Sequence, residues 1–228
     1  MKPLYVPKGA AAEYGDYAVN IYTGCPHGCF YCYAPKVLHR DCEEFHTHIE
    51  PRQNIASELR KQLYREGTTG KLVHLCFTCD PYPTGYDSSA TREVIKLLKE
   101  TGNHVQILTK GDGSRDFDLL AEGDWYGVTL DGSETNRRFA DVIDQFGSLR
   151  LRGVKTWVSF EPVLNDKVVI ADIATGAVWF DKVKIGKLNY FPSSINWKRF
   201  GEKVEQLCKT LHLDYYIKDS LRAEMEKP

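Results

Sequence analysis

Asn20-Ile-Tyr-Thr-Gly-Cys25-Pro-His-Gly-Cys29-Phe-Tyr-Cys32-Tyr-Ala34 is the stretch on which the reading of this chain turns. A strand predicted over Tyr17–Tyr22 runs into a Gly/Pro-rich turn, and a helix is expected to begin near Pro35, so the cysteines occupy one loop of about residues 22–35. Their spacing is Cys-x3-Cys-x2-Cys. Thiolates are soft ligands suited to iron–sulfur clusters, and Gly24 and Gly28 permit close approach of the backbone. Three thiolates, Cys25, Cys29 and Cys32, on a four-iron cubane leave one iron open. An open iron suits a small molecule that chelates through an amine and a carboxylate, as methionine does. Zinc is the competing metal, with His27, Cys42 or His46 as fourth ligand. Structural zinc normally takes four ligands in paired knuckles, whereas the other cysteines here are scattered.

Outward from this loop, short β-branched runs alternate with stretches of helical periodicity. Strands are predicted at Leu72–Phe77, His104–Thr109, Trp125–Leu130, Thr156–Phe160, Lys182–Ile185 and Asp214–Lys218. Helical stripes lie at Ile55/Leu59/Leu63, Val94/Ile95/Leu97/Leu98, Phe139/Val142/Ile143/Phe146 and Phe200/Val204/Leu207/Leu211. Gly67, Gly102 and Gly147 are the expected stops of the first three. Repeated β-then-α order predicts a parallel sheet, and right-handed crossovers curl it into a partial, open β/α barrel of six to seven strands. A full barrel typically needs about 250 residues; this chain has 228 and no internal repeat or linker, so one domain is expected.

Composition narrows the function. Lys plus Arg number 30 against 31 Asp plus Glu, so the basic excess of a dedicated nucleic-acid binder is missing. No apolar run approaches a membrane span, and the Met-Lys-Pro start lacks a signal peptide's apolar region, so a cytoplasmic location is expected. Seven cysteines in a reducing compartment argue for metal or catalytic thiols over disulfides. Barrel enzymes place chemistry at the C-terminal ends of their strands. Those ends carry Thr78, Cys79 and Asp80; Thr109 and Lys110; Thr129 and Asp131; Ser159 and Glu161; Lys187 and Asn189; and Lys218. A phosphate-binding barrel using Lys110, Lys187 and Lys218 is a further possibility. Cys76 and Cys208 read as core, and His46 and His48 as a solvated turn.

Cys25, Cys29, Tyr31 and Cys32 match the Cys-x3-Cys-x-aromatic-Cys motif, and the chain thereby resembles the radical S-adenosylmethionine (SAM) superfamily. The resemblance implies a [4Fe–4S] cluster that donates one electron to SAM, giving methionine and a 5′-deoxyadenosyl radical that abstracts hydrogen from a substrate. It also implies an electron donor such as flavodoxin or ferredoxin. Asn-Ile-Tyr-x-Gly-Cys, Thr78-x-Asp-Pro-Tyr82, Leu-Thr-Lys110 with Arg115-Asp116, and Glu161-Pro-Val resemble the spore-photoproduct-lyase-like or DNA-repair-photolyase-like branch. That likeness implies a nucleic-acid base or nucleotide substrate and lyase chemistry; a peptide or small-molecule substrate, or a non-catalytic metal-binding module, is the alternative. In the family the loop after the second strand meets the methionine amine, which by position implies Thr78 and Asp80. Lys110 and Ser159 are candidates for the carboxylate, Asp131 and Glu161 for amine or ribose hydroxyls, and Tyr22 or Tyr31 for the adenine. Cys79, Lys110, Glu161 and Lys218 are the candidates for groups acting in the reaction. In the branch's lyases a cysteine after the second strand donates hydrogen. Aligned on Thr78–Asp80 that position falls on Phe77, between Cys76 and Cys79, and Cys79 is the better candidate for a substrate-side thiol.

Overall fold

A computed structural model describes residues 2–227, the side chain of Ala10 excepted. Eight strands follow one another in sheet order: β1 (Leu4–Tyr5), β2 (Tyr17–Val19), β3 (Leu72–Leu75), β4 (His104–Thr109), β5 (Trp125–Thr129), β6 (Lys155–Val163), β7 (Lys182–Lys187) and β8 (Tyr215–Ile217). β1 runs antiparallel to β2, while β2–β3, β3–β4, β6–β7 and β7–β8 pair in parallel. The helices are α1 (Ala34–Val37), α2 (Cys42–Thr47), α3 (Ile55–Glu66), α4 (Ser89–Glu100), α5 (Asn136–Arg150), α6 (Asp166–Gly176), α7 (Trp197–Thr210) and α8 (Asp219–Met225). The fold is α/β, an open and mostly parallel sheet, with one strand more than the expected six to seven. The chain divides into two compact units, residues 1–126 and 127–228.

In the first unit, Ala18, Val19, Val73, Leu75, Val105 and Ile107 of the strands are buried, as are Ile55, Leu59 and Leu63 of α3 and Val94, Ile95, Leu97 and Leu98 of α4. Gly67 ends α3 with φ +60, and its N–H donates to the Leu63 carbonyl, the left-handed stop that glycine makes without steric cost. The unexpected strand β1 is held by a polar side chain. Gln62, buried on α3, accepts a hydrogen bond from Leu4 N–H (3.0 Å) and donates one to the Leu4 carbonyl (2.8 Å). Two residues have no periodicity to detect, so nothing in the local pattern announces this strand.

In the second unit, Val158, Phe160 and Val163 of β6 are buried, as are Val142, Phe146 and Leu149 of α5, Val169 and Ile173 of α6, and Phe200, Val204 and Cys208 of α7; α5 and α6 pack against β6, and α7 against α6. α5 runs through Gly147, which was expected to end it; Gly147 is not among the glycines with positive φ, so the left-handed stop does not form there. α6 begins where Asn165 Oδ1 accepts from the N–H groups of Lys167 and Val168. Its Val-Val-Ile run has the look of a strand, and the cap decides otherwise.

Candidate functional site

The cysteine loop lies between β2 and α1, and Cys25, Cys29 and Cys32 are all half-buried free thiols. Its path is set by contact with α2. A Cβ on Gly24 would sit 2.5 Å from the carbonyl oxygens of Phe45 and His48, so only glycine fits, and Cys25 N–H donates to the Phe45 carbonyl (3.1 Å). His46 Nδ1 lies 2.7 Å from the Cys25 carbonyl, so His46 belongs to α2 and braces the loop; the expected solvated turn is not what forms there. Gly28 takes φ +58, and Cys32 N–H closes back on the Cys29 carbonyl (2.9 Å). Burial pushes the Cys25 and Cys32 thiols above the ordinary range.

Asp80 is the hub of the first unit. Its Oδ1 accepts from Thr109 Oγ1 (2.5 Å) and Tyr82 N–H (2.8 Å), and its Oδ2 accepts from Lys110 N–H (2.8 Å). His27 Nε2 lies 3.1 Å from the same Oδ2, off the hydrogen-bonding direction. A carboxylate offers about four lone-pair sites, and the chain occupies nearly all of them. Asp80 therefore ties together the cysteine loop and the ends of β3 and β4, with three of its lone-pair sites committed within the chain. Lys110 Nζ lies 5.5 Å from the centre of the Tyr31 ring, a cation–π approach that joins the cysteine loop to the end of β4.

Cys76 and Cys79 bracket the turn after β3. Cys76 is buried with φ +71, a left-handed conformation rare for a residue with a side chain, and its N–H donates to the Val19 carbonyl (2.9 Å). Asn20 Oδ1 holds the turn by accepting from the N–H groups of Phe77 (2.8 Å) and Thr78 (3.0 Å). Cys79 Sγ accepts from Tyr22 N–H (3.4 Å), which aims it back toward the segment following β2. Burial opposes ionisation of Cys79, but the Cys76 thiol and the Tyr22 and Ile21 N–H groups bring it below the ordinary thiol range. Burial and that same contact drive Cys76 well above it.

In the second unit, alternation along β6 puts Trp157, Ser159 and Glu161 on one face, and register places Lys184 of β7 opposite Ser159 and beside Tyr216 of β8. Lys184 is only 4% exposed, with Nζ 5.5 Å from the Trp157 ring and 5.8 Å from the Tyr216 ring. Glu161 Oε2 lies 3.2 Å from Lys218 Nζ. Gly186 makes room for this pair, since a Cβ there would sit 3.0 to 3.1 Å from both side chains. Asp131 is buried and accepts from Ser133 N–H (3.1 Å) and Oγ (2.5 Å), which commits one of its oxygens to its own turn. Ser159 is buried in the strand, and Lys187 is paired with Glu224. Lys187 and Lys218 therefore sit in ion pairs, which weakens the phosphate-barrel reading.

A profile of the Radical SAM superfamily matches residues 19–162, well over half of the chain. The chain belongs to the radical SAM superfamily. Within it, an uncharacterized protein of Mycobacterium tuberculosis (strain ATCC 25618 / H37Rv) is 36% identical over 123 residues, 51% of this chain and 36% of that protein. The match thus spans about a third of that relative's length. An uncharacterized protein of Methanocaldococcus jannaschii is 25% identical over 182 residues, 73% of this chain and 66% of the relative. Among solved structures, a spore photoproduct lyase variant superposes with a TM-score of 0.67 at 11% identity, covering 95% of this chain and 79% of that one. Another, with bound AdoMet and dinucleoside spore photoproduct, gives 0.59 at 14% identity over 92% and 65%. These likenesses show the fold, the partial barrel of the superfamily.

Radical SAM membership implies SAM and an iron–sulfur cluster. The donor set fits a cluster: three thiols share one loop, and the loop's glycine is pressed against two carbonyls. Among the described residues no three His, Cys, Asp or Glu side chains are drawn together as ligands of a single ion. No described helix is long and apolar enough to cross a membrane. Sequence reasoning missed Thr109 as an Asp80 donor, the buried Lys184 and the space-making Gly186. The alternation of Lys182, Lys184 and Gly186 along β7 was the available signal for the last two.

Proposed function

We propose that this protein is a radical SAM enzyme in which Cys25, Cys29 and Cys32 hold a [4Fe–4S] cluster and leave one iron open for SAM, with a nucleobase or nucleotide as substrate. The observation that carries the reading is the three-thiol loop, fixed by Gly24 against α2 and tied to the ends of β3 and β4 through Asp80 and the Lys110–Tyr31 contact. When bound, the cluster supplies one electron to SAM, whose reductive cleavage yields methionine and a hydrogen-abstracting 5′-deoxyadenosyl radical. Asp80 positions Lys110 and Thr109 without itself touching the cofactor, and the ring of Tyr31 is kept in place by the Lys110 cation. Within the second unit, the Glu161–Lys218 pair offers a carboxylate and an ammonium to a ligand's polar groups, and Ser159 and Asp131 support the strand ends around it. Cys79, with its lowered thiol pKa, is our candidate for a substrate-side thiol.

The nucleobase assignment is supported by fold likeness to a lyase that binds AdoMet and a dinucleoside. A lyase-type repair of DNA and a low-potential donor such as a flavodoxin or ferredoxin fit that reading, as does a reducing, cytoplasmic setting in which the cysteines stay thiols. The test is anaerobic reconstitution with iron and sulfide, then reduction in the presence of SAM. The expected result is a [4Fe–4S] spectrum and formation of 5′-deoxyadenosine. One tightly held zinc without sulfide, or no 5′-deoxyadenosine, would overturn the proposal.

A further inference from the structure

A cavity of about 390 Å³ opens in the first unit, with no residue of the cysteine loop among its lining, which includes Tyr5, Asn20, Arg52 and Thr78. Two of its lining side chains carry buried polar atoms with no hydrogen-bond partner among the described residues, Arg52 Nε and Thr78 Oγ1. Such orphans are costly in a folded protein, and each calls for an explanation such as a missing ligand. A third donor is available. Tyr5 Oη already accepts from Asn20 Nδ2 (2.9 Å), which leaves its own proton for another acceptor. Burial raises the Tyr5 pKa, so the phenol stays protonated at neutral pH. Glu58, on the same rim, is paired with Lys61 at 2.7 Å, which offsets its charge.

We propose that this cavity is a phosphate-binding site, in which Arg52, Thr78 and Tyr5 hold the phosphate of the substrate and the remaining space takes the group esterified to it. The proposal rests on the nucleotide reading above for the identity of that group, and on this cavity alone for the phosphate. The donors come from three separate elements: β1, the turn after β3 and the segment leading into α3. A phosphate has several oxygens to share among donors from separate elements. A guanidinium is the side chain best suited to phosphate, and a volume of some hundreds of Å³ is the ordinary range for a ligand site. Asn20 links this site to the turn carrying Cys76 and Cys79, since it donates to Tyr5 and accepts from Phe77 and Thr78.

The test uses the full chain, reconstituted anaerobically, in equilibrium dialysis with thymidine, thymidine 5′-monophosphate, inorganic phosphate and a short single-stranded thymidine oligonucleotide. Saturable binding that requires the phosphate is expected, weakened at least about tenfold by Arg52→Gln and by a few-fold in Thr78→Val. The mononucleotide and oligonucleotide arms tell a free nucleotide from a strand as the source of the phosphate. Thymidine binding as tightly as its monophosphate would overturn the proposal, as would wild-type affinity in both variants. Competitive displacement by SAM would assign the cavity to the cofactor and overturn it too. Loss of 5′-deoxyadenosine formation by the wild type, with phosphate binding intact, would strike the radical reading and leave the site standing.

Discussion

Asp80 follows β3 and Glu161 lies near the C-terminal end of β6, and the chain uses these two carboxylates in opposite ways. Asp80 is 7% exposed and receives donors from its own turn and from both the side chain and the backbone at the end of β4. Glu161 has a side chain 32% exposed, a lysine at 3.2 Å and a glycine beneath it that clears space. A carboxylate whose lone pairs are filled by backbone N–H groups is a structural clamp. One that faces a cation across a cleared space keeps the chemistry of its charge. Position near a strand's C-terminal end is therefore a poor guide to role, and the count of internal donors is a better one.

The largest test of this contrast is Asp80→Ala. It strands the Thr109 hydroxyl and the N–H groups of Tyr82 and Lys110 in a buried setting, and should cost about 2 to 4 kcal/mol in denaturant unfolding. A loss below about 0.5 kcal/mol would show that Asp80 is no clamp. Glu161→Gln should behave in reverse: unfolding free energy within about 1 kcal/mol of wild type, because a partly exposed pair contributes little, but 5′-deoxyadenosine formation reduced at least about tenfold. Unchanged turnover would remove Glu161 from the working groups. Gly186→Ala is a smaller intrusion on the same pair. The flexible ends of Glu161 and Lys218 must shift by tenths of an ångström, so activity should fall by a factor of about two to five at nearly unchanged stability, measured in the same assay.

The smallest effect separates the two thiols of the Cys76–Cys79 turn. A lowered pKa at Cys79 means more thiolate near neutral pH, and a raised one at Cys76 means almost none. Alkylation followed by peptide mapping should label Cys79 ahead of Cys76, with the gap closing as pH rises toward the Cys76 range. Equal labelling at neutral pH would contradict the asymmetry.

Most of the sheet was legible because each strand carries its own short β-branched run between turn residues. β1 was not, since what makes it a strand is the amide of Gln62, 58 residues away in the chain. α6 was hidden by Val168, Val169 and Ile170, residues that favour strands and yield here to the Asn165 cap. In the site, the cysteine loop could be read because three ligands lie within one turn. The role of Asp80 could not, because two of its donors, Thr109 and Lys110, come from the end of β4 and leave no mark in spacing. Cys79 was legible as a loop thiol, but not its orientation toward Tyr22 N–H.

In the proposed site, three thiolates leave one iron vacant for SAM. Electron–nuclear double resonance on the reduced, reconstituted protein, with SAM labelled with ¹⁵N at the methionine amine, tests it directly. The expected result is a nitrogen hyperfine coupling to the cluster that appears with SAM and is lost in Cys29→Ala. A cluster with no such coupling, or one whose last iron is held by a protein side chain, would contradict it.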